Sequence, residues 1–275
     1  MPDMRIRRAA PADLPVLTRL WQAAFADPPE LIERFYRRFP PAKAAWVVED
    51  GGCVVTAAHL LEGRLHTTDG NVLPCAYVYA VSTDPAHQGN GYASALMRRF
   101  AMDADVNGRV LYTLPAEASL YKWYQAVMGT TQTARGERIR IARQQTAGTL
   151  PSVTCISAPE YAVLRAQQLQ GQAYVEPSAA LLDFQVDLCA MCGGALVQVG
   201  CGCAVVERDG DTLIIKELLG ADTASAAQAL LAVNAAGMVP QRDGGGCVVY
   251  DLAAALLHVG HGDAADDAGV GEVTA

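Results

Sequence analysis

The apolar positions of the chain switch repeatedly between helical and strand spacing. In PADLPVLTRLWQAAF, Leu14, Leu17, Leu20, Trp21 and Phe25 share one face and predict an amphipathic helix. PPELIERFYRRF predicts a second, shorter helix with proline at its start. RIRRAA, ahead of both, reads as a strand. Three more strands follow: AAWVVED, CVVTAAHLLEGRLHTT and VLPCAYVYAVST, parted by turns at Gly51-Gly52 and Asp69-Gly70-Asn71. Helical spacing returns at Ala95, Leu96, Phe100 and Met102 and runs to about Val106. RVLYTL is then a strand, ASLYKWYQAVM a helix and TTQTARGERIRIAR a closing hairpin. This order predicts an α+β domain over residues 1–145, a mixed and mostly antiparallel sheet with helices on both faces.

The polar stretch QQTAGTLPS reads as a linker, and beyond it the pattern restarts. SVTCISAPEYAVLRAQQL predicts a strand and a helix. ALVQVG, CGCAVVERDG and TLIIKELLG predict strands, followed by a helix from Thr223 to Ala236 and the strand GCVVYDL. Residues 152–260 are therefore expected to form a second, smaller α+β domain of related order, and residues 261–275 a disordered tail.

Hydrophobic residues make up 51% of the 275 positions, enough for packed cores. The formal net charge of -8 argues against a nucleic-acid partner, which needs a broad basic surface. Arginine pairs at Arg7-Arg8, Arg37-Arg38 and Arg98-Arg99 place any anion site in the first half. MPDMRIRRAA has no apolar signal core, and no run reaches the length of a membrane span, so the expectation is a cytoplasmic protein without a membrane partner.

Cysteine spacing raises zinc as a further reading. CAMCGGALVQVGCGC holds Cys189-x-x-Cys192 and Cys201-x-Cys203, and Cys-x-x-Cys-Gly is how a zinc knuckle begins. The second pair has a single intervening residue, and on a strand its two side chains would share a face. ALVQVGCGCAVVE also reads well as two strands. Buried thiols without metal are the expectation, and a zinc-dependent interaction protein the weaker alternative.

Between the strand ending near Thr83 and the next helix lies Gln88-Gly89-Asn90-Gly91-Tyr92-Ala93. Glycines there permit unusual backbone angles and clear side chains from the approach. The first amides of the helix have no internal acceptors, and the helix dipole adds positive charge, so an anion of phosphate size fits. No Gly-Lys-Ser/Thr follows, which excludes a Walker loop, and the spacing is wrong for the dinucleotide fingerprint.

The stretch resembles the acetyl-CoA signature of the GNAT superfamily of N-acetyltransferases, Gln/Arg-x-x-Gly-x-Gly/Ala, met by Gln88, Gly91 and Ala93, with Pro85 upstream. The likeness extends over about the first 145 residues, and the second domain is compatible with a degenerate GNAT-like half lacking the loop. The resemblance implies acetyl-CoA as co-substrate and no metal. Its pyrophosphate would lie on the amides of residues 88–93, and its pantetheine arm along the backbone of Val81 and Thr83. It also implies a tyrosine on the later helix as general acid for the departing thiolate. Tyr124, within WYQAVMG, is the better match, with Tyr121 three residues earlier in reserve. The sequence departs from the family where Met128-Gly129 replaces a Gly-Phe ending and Glu117 stands at a frequent asparagine.

The implied reaction is direct attack of an amine, from a small molecule or peptide, on the thioester. Glu117, Glu49 and His59 are the candidate bases, none singled out. A non-catalytic acyl-CoA-binding or sensing protein is the alternative, and a homo-oligomeric state is left open.

Overall fold

The computed structural model describes residues 4–115, 117–130, 149–209 and 212–232, with the backbone of strand segments at 132–133, 138–142, 246–250, 256–259 and 273–274. The chain divides into two units. The first gathers residues 1–134, 175–180 and 255–273, and the second residues 135–174, 181–254 and 274–275.

In the first unit, β1 (Arg5–Arg8) leads to α1 (Leu14–Phe25), α2 (Pro29–Arg38) and the short α3 (Pro41–Ala44). Then come β2 (Ala45–Asp50), β3 (Cys53–His66), β4 (Val72–Thr83), α4 (Tyr92–Asn107), β5 (Val110–Thr113) and α5 (Ala118–Met128). β1 to β4 pair antiparallel in chain order, and β5 lies parallel to β4. α1 buries Leu17, Leu20 and Trp21 and stops at Ala26, which is left-handed (φ 54°), just before Asp27-Pro28-Pro29. α2 buries Leu31, Ile32, Phe35 and Tyr36, while its outer face carries the pairs Glu30–Arg34 (2.9 Å) and Glu33–Arg37 (3.0 Å).

Strand alternation sorts these helices onto opposite faces of the sheet. Ala58, Ala76 and Val78 pack with Leu96, Met97 and Phe100 of α4 and with Tyr124 and Val127 of α5. Trp21 of α1 and Phe35 of α2 instead meet the rings of His59 and Tyr79.

The predicted closing hairpin is corrected. Gln132–Thr133 (β6) and Arg138–Ala142 (β7) do not pair with each other. β7 instead lies in the sheet of the second unit, antiparallel to Gly246–Tyr250. The strand Leu256–Val259 enters the first unit's sheet between β5 and β6. The alternation in RIRIA reveals a strand but not its partner, because the ladder is made by backbone groups that every residue carries.

In the second unit β8 (Val153–Cys155) and α6 (Ala158–Gln168) come first; β9 (Ala173–Pro177), which follows them in the chain, pairs with β3 in the first unit's sheet. α7 (Ala179–Met191), β10 (Ala195–Val199), β11 (Gly202–Asp209), β12 (Thr212–Leu219), α8 (Thr223–Ala232) and β13 (Gly246–Tyr250) complete the second unit, and β14 (Leu256–Val259) belongs to the first. The second unit's sheet runs β7-β13-β12-β11-β10-β8, with β13 parallel to β12. Strand, helices, three antiparallel strands, helix and parallel strand thus repeat the order of the first unit. Its core joins Val197, Val206 and Ile215 to Ala227 and Leu230. Arg165 is buried against Glu217 (2.9 Å), which also accepts from the Tyr161 hydroxyl. β9 and α7 have no counterpart in the sequence reading, because apolar and polar residues in AALLDFQVDLCAM do not segregate to opposite faces. Of the predicted helix 223–236, residues 233–236 lie outside the described residues, as does the tail apart from the backbone at 273–274.

Among the described residues, no helix is long and apolar enough to cross a membrane.

Candidate active site

Among the described residues β4 and β5 pair at Cys75–Val110, Ala76–Leu111 and Tyr77–Tyr112, after which β4 continues to Thr83 with no strand paired on that edge. On its other edge the register with β3 shifts between Ala57 and His59, opposite Ala80, whose φ of 47° is left-handed. A bulge at a residue with a Cβ turns the strand locally and ends regular pairing. The Thr113 hydroxyl donates to the Val78 carbonyl (3.0 Å), fixing the point where the strands part.

A cleft of about 220 Å³ opens at this fork. Val78, Tyr79, Ala80 and Val81 form its floor. Trp21, Phe25 and Asp27 line it from the α1 side, and Leu120 and Tyr124 from α5. Because the fork interrupts the sheet, side chains from both faces reach one space. Tyr124 is 6% exposed; burial raises its pKa, and a hydrogen bond with the Thr113 side chain acts in the opposite direction. A tyrosine held in this way keeps its proton at neutral pH and can donate it to a developing anion. Tyr121 does not line the cleft and packs against the α4–α5 core.

The open edge leads into the glycine loop. Asp84 accepts from the Ala86 amide (3.0 Å) and pairs with Arg19 (3.1 Å), starting the turn. Gln88 Nε2 donates to the Thr83 carbonyl (3.4 Å), and Asn90 Nδ2 to the His87 carbonyl (3.1 Å). Gly89 and Gly91 have φ of 78° and 80°, which only glycine adopts without cost. Tyr92 is buried and donates its hydroxyl to Asp50, anchoring the start of α4. No side chain caps the helix at Gly91. The amides of residues 88–94 have no acceptor among the described residues, and the loop from 88 to 91 is exposed, with Ala93 half-buried. The arrangement can hold an anion through backbone N–H groups and the helix dipole.

None of the three candidate bases lines the cleft. Glu117 is exposed at the start of α5 and accepts from Ser119 (3.3 Å). Glu49 is held by Arg7 (2.7 Å). His59 is 1% exposed, with Nε2 3.0 Å from the Tyr36 hydroxyl and Nδ1 3.3 Å from the Tyr79 carbonyl. Its Nδ1–H donates to that carbonyl and its Nε2 accepts from Tyr36, so the ring braces the strand just before the bulge. Burial depresses its pKa to about 4. The unfolded chain therefore takes up the proton first as pH falls below the ordinary histidine value. The associated stability is complete above about pH 6.5, and on the order of 3 kcal/mol is lost as pH falls to about 4. Urea titrations between pH 7 and 4 should show this loss, and His59→Gln should flatten it. An unchanged slope in the variant would remove His59 as the cause.

Cys189 and Cys203 belong to one buried core of the second unit. Cys189 on α7 and Cys203 on β11 are buried, while Cys192 and Cys201 are exposed, and Cys201 stands in the turn before β11 rather than on a shared strand face. Burial pushes Cys189 and Cys203 up to about 12. Among the described residues, no group of three or more His, Cys, Asp or Glu is placed to hold a metal.

Sequence reasoning did not single out Asp27, Thr113 or the bulge at Ala80. Asp27 had a local signal, as the polar residue between a helix end and two prolines. The other two become visible only once the strands are paired.

A forked α+β sheet with an uncapped helix start at the end of its open strand defines the first unit as GNAT-like. Residues 5–126 match the family model described as Acetyltransferase (GNAT) domain. No curated protein matches the chain.

Solved structures are similar over more of its length. A conserved Enterococcus faecalis protein described as a probable N-acyltransferase has a TM-score of 0.67 at 16% identity, covering 90% of this chain and 65% of its own. A GCN5-related N-acetyltransferase from Kribbella flavida has a TM-score of 0.62 at 19% identity, covering 90% and 64%. The chain thus spans just under two thirds of either protein. A tandem GNAT protein from the clavulanic acid biosynthesis pathway has a TM-score of 0.50 at 17% identity, with 90% of both chains covered. At these identities the likeness is one of fold.

Proposed function

We propose that the protein transfers an acetyl group from acetyl-CoA to an amine of a small molecule or peptide. The observation that carries this reading is the single strand β4, whose open edge runs from the cleft holding Tyr124 to the bare amides of residues 88–94. An acyl thioester on a long arm ending in a pyrophosphate suits a site whose two ends are joined by a strand with one edge open.

In this reading Gly89, Asn90, Gly91, Tyr92 and Ala93 offer amides to the pyrophosphate. Gln88 braces the turn through Thr83, and the backbone of Val81 and Thr83 faces the arm. The amine nitrogen, as the free base, attacks the thioester carbonyl carbon. As the tetrahedral intermediate collapses the C–S bond breaks, and the sulfur takes the proton of the Tyr124 hydroxyl. The extra proton on nitrogen leaves to solvent, and Tyr124 is reprotonated from water. Holding both reactants in one cleft supplies much of the acceleration, and the acid assists where charge develops. A cytoplasmic setting accompanies this reading.

Among the described residues, the second unit offers no equivalent anion site at the start of its last helix. At the start of its α8, Asp222 accepts from the Ser225 amide (2.9 Å), and its own carboxylate occupies the positive end of the helix. Backbone hydrogen bonding from Ser225 lowers the Asp222 pKa, in keeping with that role. One acetyl-CoA per chain is the expected stoichiometry.

The test is thiol release from acetyl-CoA with a panel of amines. Amine-dependent release supports transfer. Binding without release by any amine supports the sensing alternative and contradicts transfer.

A further inference from the structure

The acceptor end of the cleft has a chemistry of its own. Among the described residues lining it, Asp27 is the sole carboxylate and there is no lysine or arginine. Trp21, Phe25, Tyr77 and Tyr79 line the same cleft, Trp21 lying 5.6 Å from Tyr79 and Tyr77 5.3 Å from Tyr79 between ring centroids. Asp27 is half-buried, just after the left-handed end of α1. Its Oδ2 accepts from Trp21 Nε1 (2.8 Å), which fixes the carboxylate. Among the described residues no cation pairs with it.

A carboxylate held by one hydrogen bond in a cleft lined by aromatic rings is the complement of a positive charge. The ring faces are the negative ends of their quadrupoles, and attraction to a cation strengthens as water is excluded. Phosphates or carboxylates would meet repulsion there. A neutral ligand would leave the half-buried carboxylate desolvated without compensation. With about 220 Å³ available, below the ~300–1,000 Å³ usual for drug-sized ligands, the entering group is compact.

We infer that the α1-side wall of this cleft is a binding site for a small organic ammonium ion, with Asp27 as its specificity-determining residue. That this ion is the acceptor amine before it loses its proton rests on the acetyl-transfer reading. Recognition of the cation does not.

The test uses benzyltrimethylammonium, a quaternary cation that cannot be acetylated, beside benzyl alcohol as a neutral counterpart. Both are titrated into the full-length protein by calorimetry, with tryptophan fluorescence as a second readout because Trp21 lines the site. The cation should bind saturably and at least ~10-fold more tightly than the alcohol, in line with a charge-assisted contact. Asp27→Asn keeps an oxygen that accepts from Trp21, so it preserves the local structure. It should abolish the preference, weakening the cation ~10–100-fold and leaving the alcohol unchanged. Equal affinities in the natural protein, or full cation affinity in a folded Asp27→Asn, would overturn the inference. Cation binding without acetyl-CoA-dependent turnover would leave this site standing and remove the transfer reading. Turnover with neutral amines preferred over cationic ones would do the reverse. In a turnover assay Asp27→Asn should raise KM for cationic amines with kcat little changed.

Discussion

Tyr124→Phe should lower turnover by about 10²–10⁴-fold while leaving acetyl-CoA affinity nearly intact. In the proposed mechanism the hydroxyl is used only when negative charge appears on sulfur, so its removal should act on the transition state and not on ground-state binding. The structure sharpens this expectation. Tyr124 lines the fork, is bonded with the Thr113 side chain, and has its proton secured by burial. Phenylalanine fills the same space, so the α4–α5 core should remain intact. Tyr121→Phe is the control, because Tyr121 packs against that core without lining the cleft. Single-turnover rates on an established acceptor decide the matter. Full activity in Tyr124→Phe would leave positioning alone to carry the reaction, and a loss confined to Tyr121→Phe would move the acid by one helical turn.

Gly91→Val should weaken acetyl-CoA binding by at least ~100-fold. Two effects combine at this position. A β-branched residue at a φ of 80° is strained by roughly 1–2 kcal/mol, so the backbone rotates and the row of free amides loses its common direction. The new side chain also stands at the mouth of the helix, where an anion must approach within hydrogen-bonding distance. Gly91→Ala carries the strain with less bulk and should fall between the two. Circular dichroism will show whether each variant is folded, and competition with a fluorescent coenzyme A analogue gives the affinities. A folded Gly91→Val with undiminished affinity would detach the loop from the ligand.

The first unit was largely legible in the sequence because its elements obey local rules. Pro29 starts α2, Leu31, Ile32, Phe35 and Tyr36 mark its buried face, and Gly91 and Gly108 bound α4. The loop and Tyr124 were legible through the family signature and stand at the two ends of one open strand. What escaped depends on partners distant in sequence. RIRIA gives a strand whose place in the second unit's sheet is set by pairing with residues 246–250. The strand beside β5 comes from residues 256–259. Ala80 adopts a left-handed conformation that its side chain would not suggest, because the forked sheet and the His59 brace impose it. His59 and Glu49 were candidate bases on residue type alone, and burial in one case and Arg7 in the other give them structural partners. Asp27 acquires its significance only from the rings that line the same cleft.

The central claim, one acetyl-CoA held at the 88–93 loop of each chain, is tested most directly by calorimetric titration of acetyl-CoA into the full-length natural protein and into Gly91→Val. The account predicts saturation at one equivalent per chain in the natural protein, because Asp222 closes the corresponding helix start of the second unit, and a loss of that heat in the variant. No binding to the natural protein, two equivalents per chain, or an unchanged isotherm in a folded Gly91→Val would contradict it.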